Sequence, residues 1–584
     1  MTLFLFTFQC QEGASQGKAN AEPRPVQKLA MRKPLLDDPI NVPAVVAGST
    51  MATTNSGSAT SPIAEALPAA LVGKIFIHIM PVLSLGYGLS FIDRSNIAYA
   101  GLDEHLESDV PGLVPGGTAY GLAAGLFFLG YGTMQIPVVH LLSRIGARRV
   151  LAGTLLVWGV VATAQAFVQH LGQLYVLRLC LGLAEAGYYP GSIYFLSTWL
   201  PDEVLGTAST LLTAAGAPLN IVGSITAGFI MSTDTFNGLW GLHQWRWLFL
   251  LQGFPAALIG LCLLVQLPDK PTTARWLTAE ERRVLLGRLA VPGACEGEGE
   301  GEGEGEGEGE GVGSCEAERT PPPPPPPALR LREALCLTVR TLPVWLFSAQ
   351  HFCGCTIAYV GAFFQPLLLK ELLPTWSNLA ISGLYSVPLA IGIPASALVS
   401  WWGDRAPAGR ERVRRRAWLL WVCSTTSAVC MSVSGLLLVR AAADAAGSLA
   451  TRTTLSIASL TLAGLCGPIS LCAAGSLWTL VQAAQPQPLR STTISFVNSI
   501  GNLGGFVGPY LLSALRQPLG PTACVDGKAK CVTQWGGAIA AVGGLLVAIN
   551  AINIFIACKV LLPRMLRGRG RNGPRARPHL AGAA

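Results

Sequence analysis

Charged side chains are scarce in the apolar stretches of this 584-residue chain, and the few that occur there fall mainly in two places. Asp93 and Arg94 are adjacent in Ser90-Phe-Ile-Asp-Arg-Ser-Asn-Ile97, and Arg178 precedes Glu185 by seven residues in Arg178-Leu-Cys-Leu-Gly-Leu-Ala-Glu185. Seven residues are about two turns of α-helix, so Arg178 and Glu185 share a face. An ionisable side chain within a membrane is costly and is a functional candidate by default. Arginines paired with carboxylates can bind an anion and exchange a proton without forming any covalent bond. Burial favours a neutral carboxyl group, whereas a neighbouring guanidinium favours the carboxylate. An anion that occupies the guanidinium removes part of that stabilisation, so the carboxyl group takes a proton more readily. Anion and proton binding then become linked. The same four residues also fit static ion bridges pinning two helices, and the two readings are compatible.

Uncharged polar residues extend the set. Tyr131 and Gln135 are one turn apart, as are Asn498 and Asn502, and Asn220 stands in Ala217-Pro-Leu-Asn220. Each can line a cavity and hydrogen-bond a substrate, or can join two helices. Gly501 with Gly505, and Gly504 with Gly508, are small-xxx-small pairs that read as packing surfaces. His351, in an apolar face, reads as a structural histidine with its hydrogen bonds satisfied.

These residues need helices to hold them. Only 13% of the chain is charged and 51% is apolar, whereas soluble domains carry roughly a quarter charged residues. Apolar stretches of about 20 residues, long enough to cross a ~30 Å hydrocarbon core, recur at 75–99, 119–141, 150–168, 173–198, 206–231 and 246–267, then at 343–368, 378–402, 417–439, 453–480, 490–515 and 534–561. The predicted fold is all-α and membrane-embedded, with twelve spans as six plus six. The predicted organisation is a disordered tail over 1–71, a first bundle over 72–268, a linker over 269–342, a second bundle over 343–562 and a basic tail over 563–584.

The linker is unusual. Thr278 and Glu281 form a capping box at the start of an amphipathic segment, 277–289. An alternating Gly-Glu run (Glu296–Gly311) and seven prolines (Pro321–Pro327) follow. The first cannot pack a core and the second is a stiff spacer. A low-complexity linker is the favoured reading, with docking of a proline-binding module as the alternative.

The formal net charge is +8, and eight of the 33 acidic residues lie in the Gly-Glu run. The positive charge gathers in short loops, which explains it by membrane orientation rather than by nucleic-acid binding. Arg144, Arg148 and Arg149 follow the second span, and Asp404, Arg405, Arg410 and Arg412 follow the eighth. The linker and carboxy-terminal tail are also basic, whereas the loop after the first span has Asp103, Glu104, Glu107 and Asp109 with no Lys or Arg. Positive loops mark the cytoplasmic side, so both termini and the linker are expected there. Most cysteines lie in apolar segments and none has zinc-ligand spacing; Cys524 and Cys531 could pair in an oxidising space. The chain has no Walker-type loop, zinc-protease motif or nucleophile elbow, so an enzyme is not expected.

In order along the chain, the motifs are Asp93-Arg-Ser-Asn-Ile97, Gly121-Leu-Ala-Ala-Gly-Leu-Phe-Phe-Leu-Gly-Tyr131, Arg178 with Gly182, Glu185-Ala-Gly187 and Pro190-Gly191, Trp245-Arg-Trp-Leu-Phe249, Leu267-Pro-Asp269, and Asn498-Ser-Ile-Gly-Asn-Leu-Gly-Gly-Phe-Val-Gly-Pro-Tyr510. Together they resemble the major facilitator superfamily and, within it, the anion:cation symporter family, over residues 72 to 562 apart from the low-complexity insert. The resemblance implies two six-helix bundles around a midplane site working by alternating access. It implies protonation at Asp93 and Glu185, and anion binding or coupling at Arg94 and Arg178. It also points to the loops carrying Arg144, Arg148, Arg149, Asp404 and Arg405 as gates. Two departures stand out: Ser143 replaces the usual acidic residue before Arg144, and Gln252 replaces the Glu often found in span six.

The expectation is therefore a monomeric secondary carrier of a small organic anion, driven by protons or by sodium, with no cofactor, no metal and no nucleic-acid partner. The plasma membrane is the expected location, with an organelle membrane as the alternative. The alternatives for function are an uncoupled facilitator or exchanger, and a transporter-like nutrient sensor. Tyr131, Gln135, Asn220, Asn498 and Asn502 complete the expected substrate site with the two arginines.

Overall fold

In lipid the backbone must satisfy its own polar groups, and a helix does so within one segment. The computed structural model describes residues 67–289, 331–407, 410–443, 449–485, 487–516 and 528–561, and no strand occurs among them. The Gly-Glu and proline tracts, both tails and the possible Cys524–Cys531 disulfide fall outside the described residues and side chains.

The first half contains α1 (Ala69–Ala100), a single turn α2 (Leu106–Asp109), α3 (Thr118–Ile145), α4 (Ala147–Ala164), α5 (Leu171–Glu185), α6 (Tyr188–Ser197), α7 (Asp202–Ala214), α8 (Gly216–Ile230) and α9 (Gln244–Gln266). Short helices α10 (Ala279–Leu289) and α11 (Leu331–Val339) lie within the linker. The second half contains α12 (Leu342–Leu372), α13 (Asn378–Asp404), α14 (Arg410–Ala443), α15 (Leu449–Ala483), α16 (Gln487–Arg516) and α17 (Lys528–Ile556). Nine helical stretches among the described residues are long and apolar enough to cross a membrane. The helix α3, the α5–α6 pair and α16 complete the twelve.

Two spans are interrupted, each for a local reason. Pro190 has no N–H to donate to the carbonyl of Ala186, and Pro218 has none for Ala214. The helical hydrogen-bond ladder lapses at Ala186–Gly187 and at Ala215, where all three residues keep right-handed angles. The chain therefore continues in one direction, and 173–198 remains a single span. Several helices outrun their apolar segments. The helix α14 begins at Arg410 rather than 417, because its basic first turns are helical too.

The two halves meet over the part of the molecule nearest the end of α1, opposite the linker. Tyr120 donates to the carbonyls of Ile97 (3.0 Å) and Phe363 (3.3 Å). The Ser224 and Ser386 hydroxyls lie 2.6 Å apart, and Asn378 donates to the Met231 carbonyl at 2.8 Å. Glycines permit this closeness between α3 and α16. A Cβ on Gly121 would lie 2.7 Å from the Pro509 carbonyl oxygen, and one on Gly505 would lie 2.7 Å from the Phe128 ring. The hydrogen bond between the halves that lies nearest the linker, among the described residues, is Ser499 to Gln135 at 3.4 Å. That bond lies near the middle of both helices.

The linker helix is fastened to the first half. Glu281 accepts from the Thr278 backbone N–H at 2.8 Å, and the Glu281 N–H donates to the Thr278 hydroxyl at 3.2 Å, as the capping box predicts. The same carboxylate pairs with Lys74 at 2.7 Å. The ring of Trp276 is stacked between His78 and Trp199.

Candidate functional site

Four charges form one buried cluster between α1, α3 and α5, with their hydrogen bonds divided. The Arg94 guanidinium donates from Nε to Glu185 Oε1 at 2.7 Å, and its Nη2 pairs with the same oxygen. Its Nη1 donates to the Tyr359 hydroxyl at 3.1 Å. Tyr359 belongs to α12, so this contact crosses between the halves. Phe91, Phe127 and Tyr131 surround the guanidinium, with ring centroids 4.8–5.3 Å from its carbon. Such contacts stabilise a desolvated cation without neutralising it. Glu185 Oε2 is buried and has no partner among the described residues.

Asp93 faces another way. Trp158 of α4 donates to Asp93 Oδ2 at 2.8 Å, and Asn96 donates to Oδ1 at 3.4 Å. Arg178 is 0% exposed. It donates to the carbonyls of Ala123 (3.2 Å), Asp93 (3.4 Å) and Arg94 (3.1 Å). The four charges expected to line one cavity are therefore adjacent but unequal. Arg94 and Glu185 reach the contact between the halves, whereas Arg178 is spent on backbone carbonyls of α1 and α3.

The second half presents uncharged groups. His351 Nε2 lies 3.1 Å from Asn498 Oδ1, which also accepts from Asn502 at 3.0 Å. His351 thus has the partner expected of a structural histidine. Gly504 and Gly508 pack against Thr356, and Gly501 packs against His351, which accounts for their small size. Gln135 bridges to Ser499 and is 1% exposed. Tyr131 is buried against Arg94, and Asn220 keeps a buried Oδ1 without a partner among the described residues. Gln252, standing where an acid was expected, donates to the Gly223 carbonyl and the Thr226 hydroxyl.

Arg148, Asp404 and Arg405, three of the expected gate residues, are engaged within their own halves in this conformation. Arg148 donates to the Leu264 carbonyl and lies 3.5 Å from Asp269. Asp404 pairs with Arg416, and Arg405 stacks on Trp401 at 3.8 Å. Arg149 is exposed, and the Arg144 side chain lies outside the described set.

The sequence reading missed Tyr359 and Trp158. Tyr359 had a signal: it lies eight residues beyond His351, on the same face of one helix. Trp158 had none, because its partner is set only by how α1 and α4 pack.

Comparison with known proteins settles the family. The sequence profile described as the Major Facilitator Superfamily matches residues 71–509. This chain belongs to that superfamily. Its membership makes the protein a multi-pass membrane transporter rather than an enzyme. A putative tartrate transporter of Agrobacterium vitis is 28% identical over 454 residues, covering 78% of this chain and 87% of the relative. The putative metabolite transport protein NicT of Pseudomonas putida is 30% identical over 370 residues, covering 63% and 73%. A quinolone resistance transporter of Acinetobacter baumannii is 28% identical over 454 residues, covering 78% and 90%. A bacterial homolog of the human lysosomal transporter Spinster, solved inward-facing and unoccupied, shares the fold with a TM-score of 0.59 and 16% identity, covering 85% of this chain and 99% of that one. A D-xylose-proton symporter does so with a TM-score of 0.57 and 13% identity, covering 81% and 97%.

Proposed function

We propose that this superfamily member is a proton-coupled symporter of small organic anions, of the anion:cation type, with Arg94 receiving the substrate carboxylate and Glu185 the proton. The Arg94–Glu185 ion pair carries this reading. It is the buried pair that touches both halves of the molecule, through Tyr359. The relatives named for tartrate and metabolite transport support a small organic acid as cargo.

The chemistry follows from the contacts. A substrate carboxylate competes with Glu185 for the guanidinium. A displaced carboxylate would be buried without a partner, and such a charge is costly. Taking a proton removes that cost, so substrate and proton enter together. Closure on the face opposite the linker leaves this conformation to exchange substrate toward the linker face. The basic loops support a cytoplasmic linker face. Asp93, held by Trp158, serves as a second proton site that acts only in series with Glu185.

Purified protein in liposomes tests this. Uptake of organic acids should rise with an inward proton gradient, fall when the gradient is collapsed, and lose its pH dependence in Glu185→Gln. Uptake indifferent both to the gradient and to Glu185→Gln would mean an uncoupled facilitator. Ligand binding without flux would mean a sensor.

A further inference from the structure

We infer that the linker-side ends of α13 and α14 bind the headgroup of an anionic phospholipid, with its acyl chains lying along α14. This rests on membrane embedding and not on the choice of cargo or coupling ion.

Trp402 near the end of α13 and Trp418 near the start of α14 are 44% and 54% exposed, and their rings meet edge to face with centroids 6.1 Å apart. Exposed tryptophan on a membrane helix suits the bilayer interface, where its ring meets hydrocarbon and its N–H meets headgroups. Beyond Trp418, the exposed residues Val422, Val429, Val433 and Leu436 follow at steps of three, four or seven. That spacing keeps them on one face of α14, an apolar track open to lipid.

The charge at the head of this track is positive. Between the two tryptophans stand six arginines and two carboxylates. Both carboxylates are engaged, Asp404 by Arg416 and Glu411 by Arg414 at 3.4 Å. Arg414 is one turn before Trp418, on the same face, and its side chain is 65% exposed. The Arg415 guanidinium lies over the Trp402 ring, 4.9 Å from its centroid, and donates from Nη1 to the Trp402 carbonyl at 3.3 Å. Its other N–H groups have no partner among the described residues. A planar guanidinium fork held in this way matches a phosphate. The basic loops support a cytoplasmic linker face, and anionic lipids gather in that leaflet. Orientation alone does not require this pairing of arginine with exposed tryptophan. The loop after α3 is basic too, but Arg148 there is engaged by Leu264 and Asp269, and the tryptophan of α4, Trp158, is buried.

Native mass spectrometry of the full-length protein in a neutral detergent tests this, with phosphatidylglycerol and phosphatidylcholine of identical acyl chains as the probes. Phosphatidylglycerol should bind at least about tenfold tighter. The double variant Arg414→Gln, Arg415→Gln should lose about tenfold in that affinity. If the double variant does not fold, Arg414→Gln alone, at an exposed position, should lose about threefold. The control Arg149→Gln, Arg283→Gln removes the same charge from two other exposed positions and should change the affinity by less than about twofold. Equal binding of the two lipids, or an equal loss in the control, overturns the inference. Displacement of the lipid by an equal concentration of glycerol 3-phosphate also overturns it, by making this a site for soluble phosphates.

Discussion

Arg94 gives two of its guanidinium N–H groups to a single oxygen of Glu185, and the other oxygen of that carboxylate is buried with no hydrogen bond of normal geometry among the described residues. Buried polar atoms nearly always have a hydrogen-bond partner, so an orphan calls for a reason. In the proposed cycle this oxygen is where the proton binds. The protonated oxygen becomes a donor, and Oε1 no longer needs the arginine. The carboxyl group can then release Arg94 to a ligand without leaving a buried charge behind.

Tyr359→Phe tests the link between the halves. It removes the hydroxyl that Arg94 Nη1 reaches across to α12 and keeps the ring against Phe128. Transport should slow about ten- to a hundredfold, since a net hydrogen bond to a charged group is worth about 1.5–3 kcal/mol and every 1.4 kcal/mol is tenfold. Initial rates in liposomes check this. An unchanged rate would detach Tyr359 from the transport cycle.

Arg178→Ala should damage the fold more than the affinity. Losing this guanidinium leaves the carbonyls of Ala123, Asp93 and Arg94 without these donors. A buried polar group left unsatisfied costs about 1–3 kcal/mol, so the variant should express poorly and melt well below the wild type in detergent. A normal melting temperature with selective loss of binding would instead place Arg178 in contact with substrate.

Gly121→Leu should prevent closure opposite the linker. The added side chain would collide with the Pro509 carbonyl and with Ser513 of α16. A single cysteine placed on the central face near Ile97 should then become more reactive to a membrane-impermeant thiol reagent added from that side. Equal labelling in both proteins would mean that the α3–α16 contact does not seal the path.

Acid stability should depend on Asp109. This residue lies outside the spans and accepts from His243 (2.8 Å), Trp245 Nε1 (2.9 Å) and Arg246 (3.1 Å). Partial burial pushes its carboxyl group up, but those three hydrogen bonds and the Arg246 charge outweigh it and hold it below the ordinary carboxylate value. A depressed value in the folded state stabilises above the unfolded value, about 3.9 for Asp, and the benefit disappears as pH falls through the folded value. Melting temperature against pH should therefore fall less steeply on the acid side in Asp109→Asn. Parallel acid limbs would contradict this.

Much of this was readable from residue types. Hydropathy and loop charge implied twelve spans, and Asp93, Arg94, Arg178 and Glu185 stood out as charges in apolar surroundings. Their division of labour was not readable. Whether Arg178 meets a ligand or three carbonyls depends on how closely α1 and α3 approach it, and Gly130 and Gly182, which let α3 and α5 come close, show this only in space. Tyr359 could be placed on the His351 face by counting residues, but its meeting with Arg94 requires the relative position of two bundles. The lapse after Glu185 was legible in principle, because Pro190 removes one N–H four residues beyond Ala186.

The most direct test of proton coupling through Glu185 is proton flux itself. Liposomes containing the protein and a pH dye in the lumen receive a transported organic anion from outside, with no initial pH gradient and the membrane potential clamped. The account predicts lumenal acidification that tracks anion uptake in the wild type and disappears in Glu185→Gln. Anion uptake by the wild type without any pH change would contradict it.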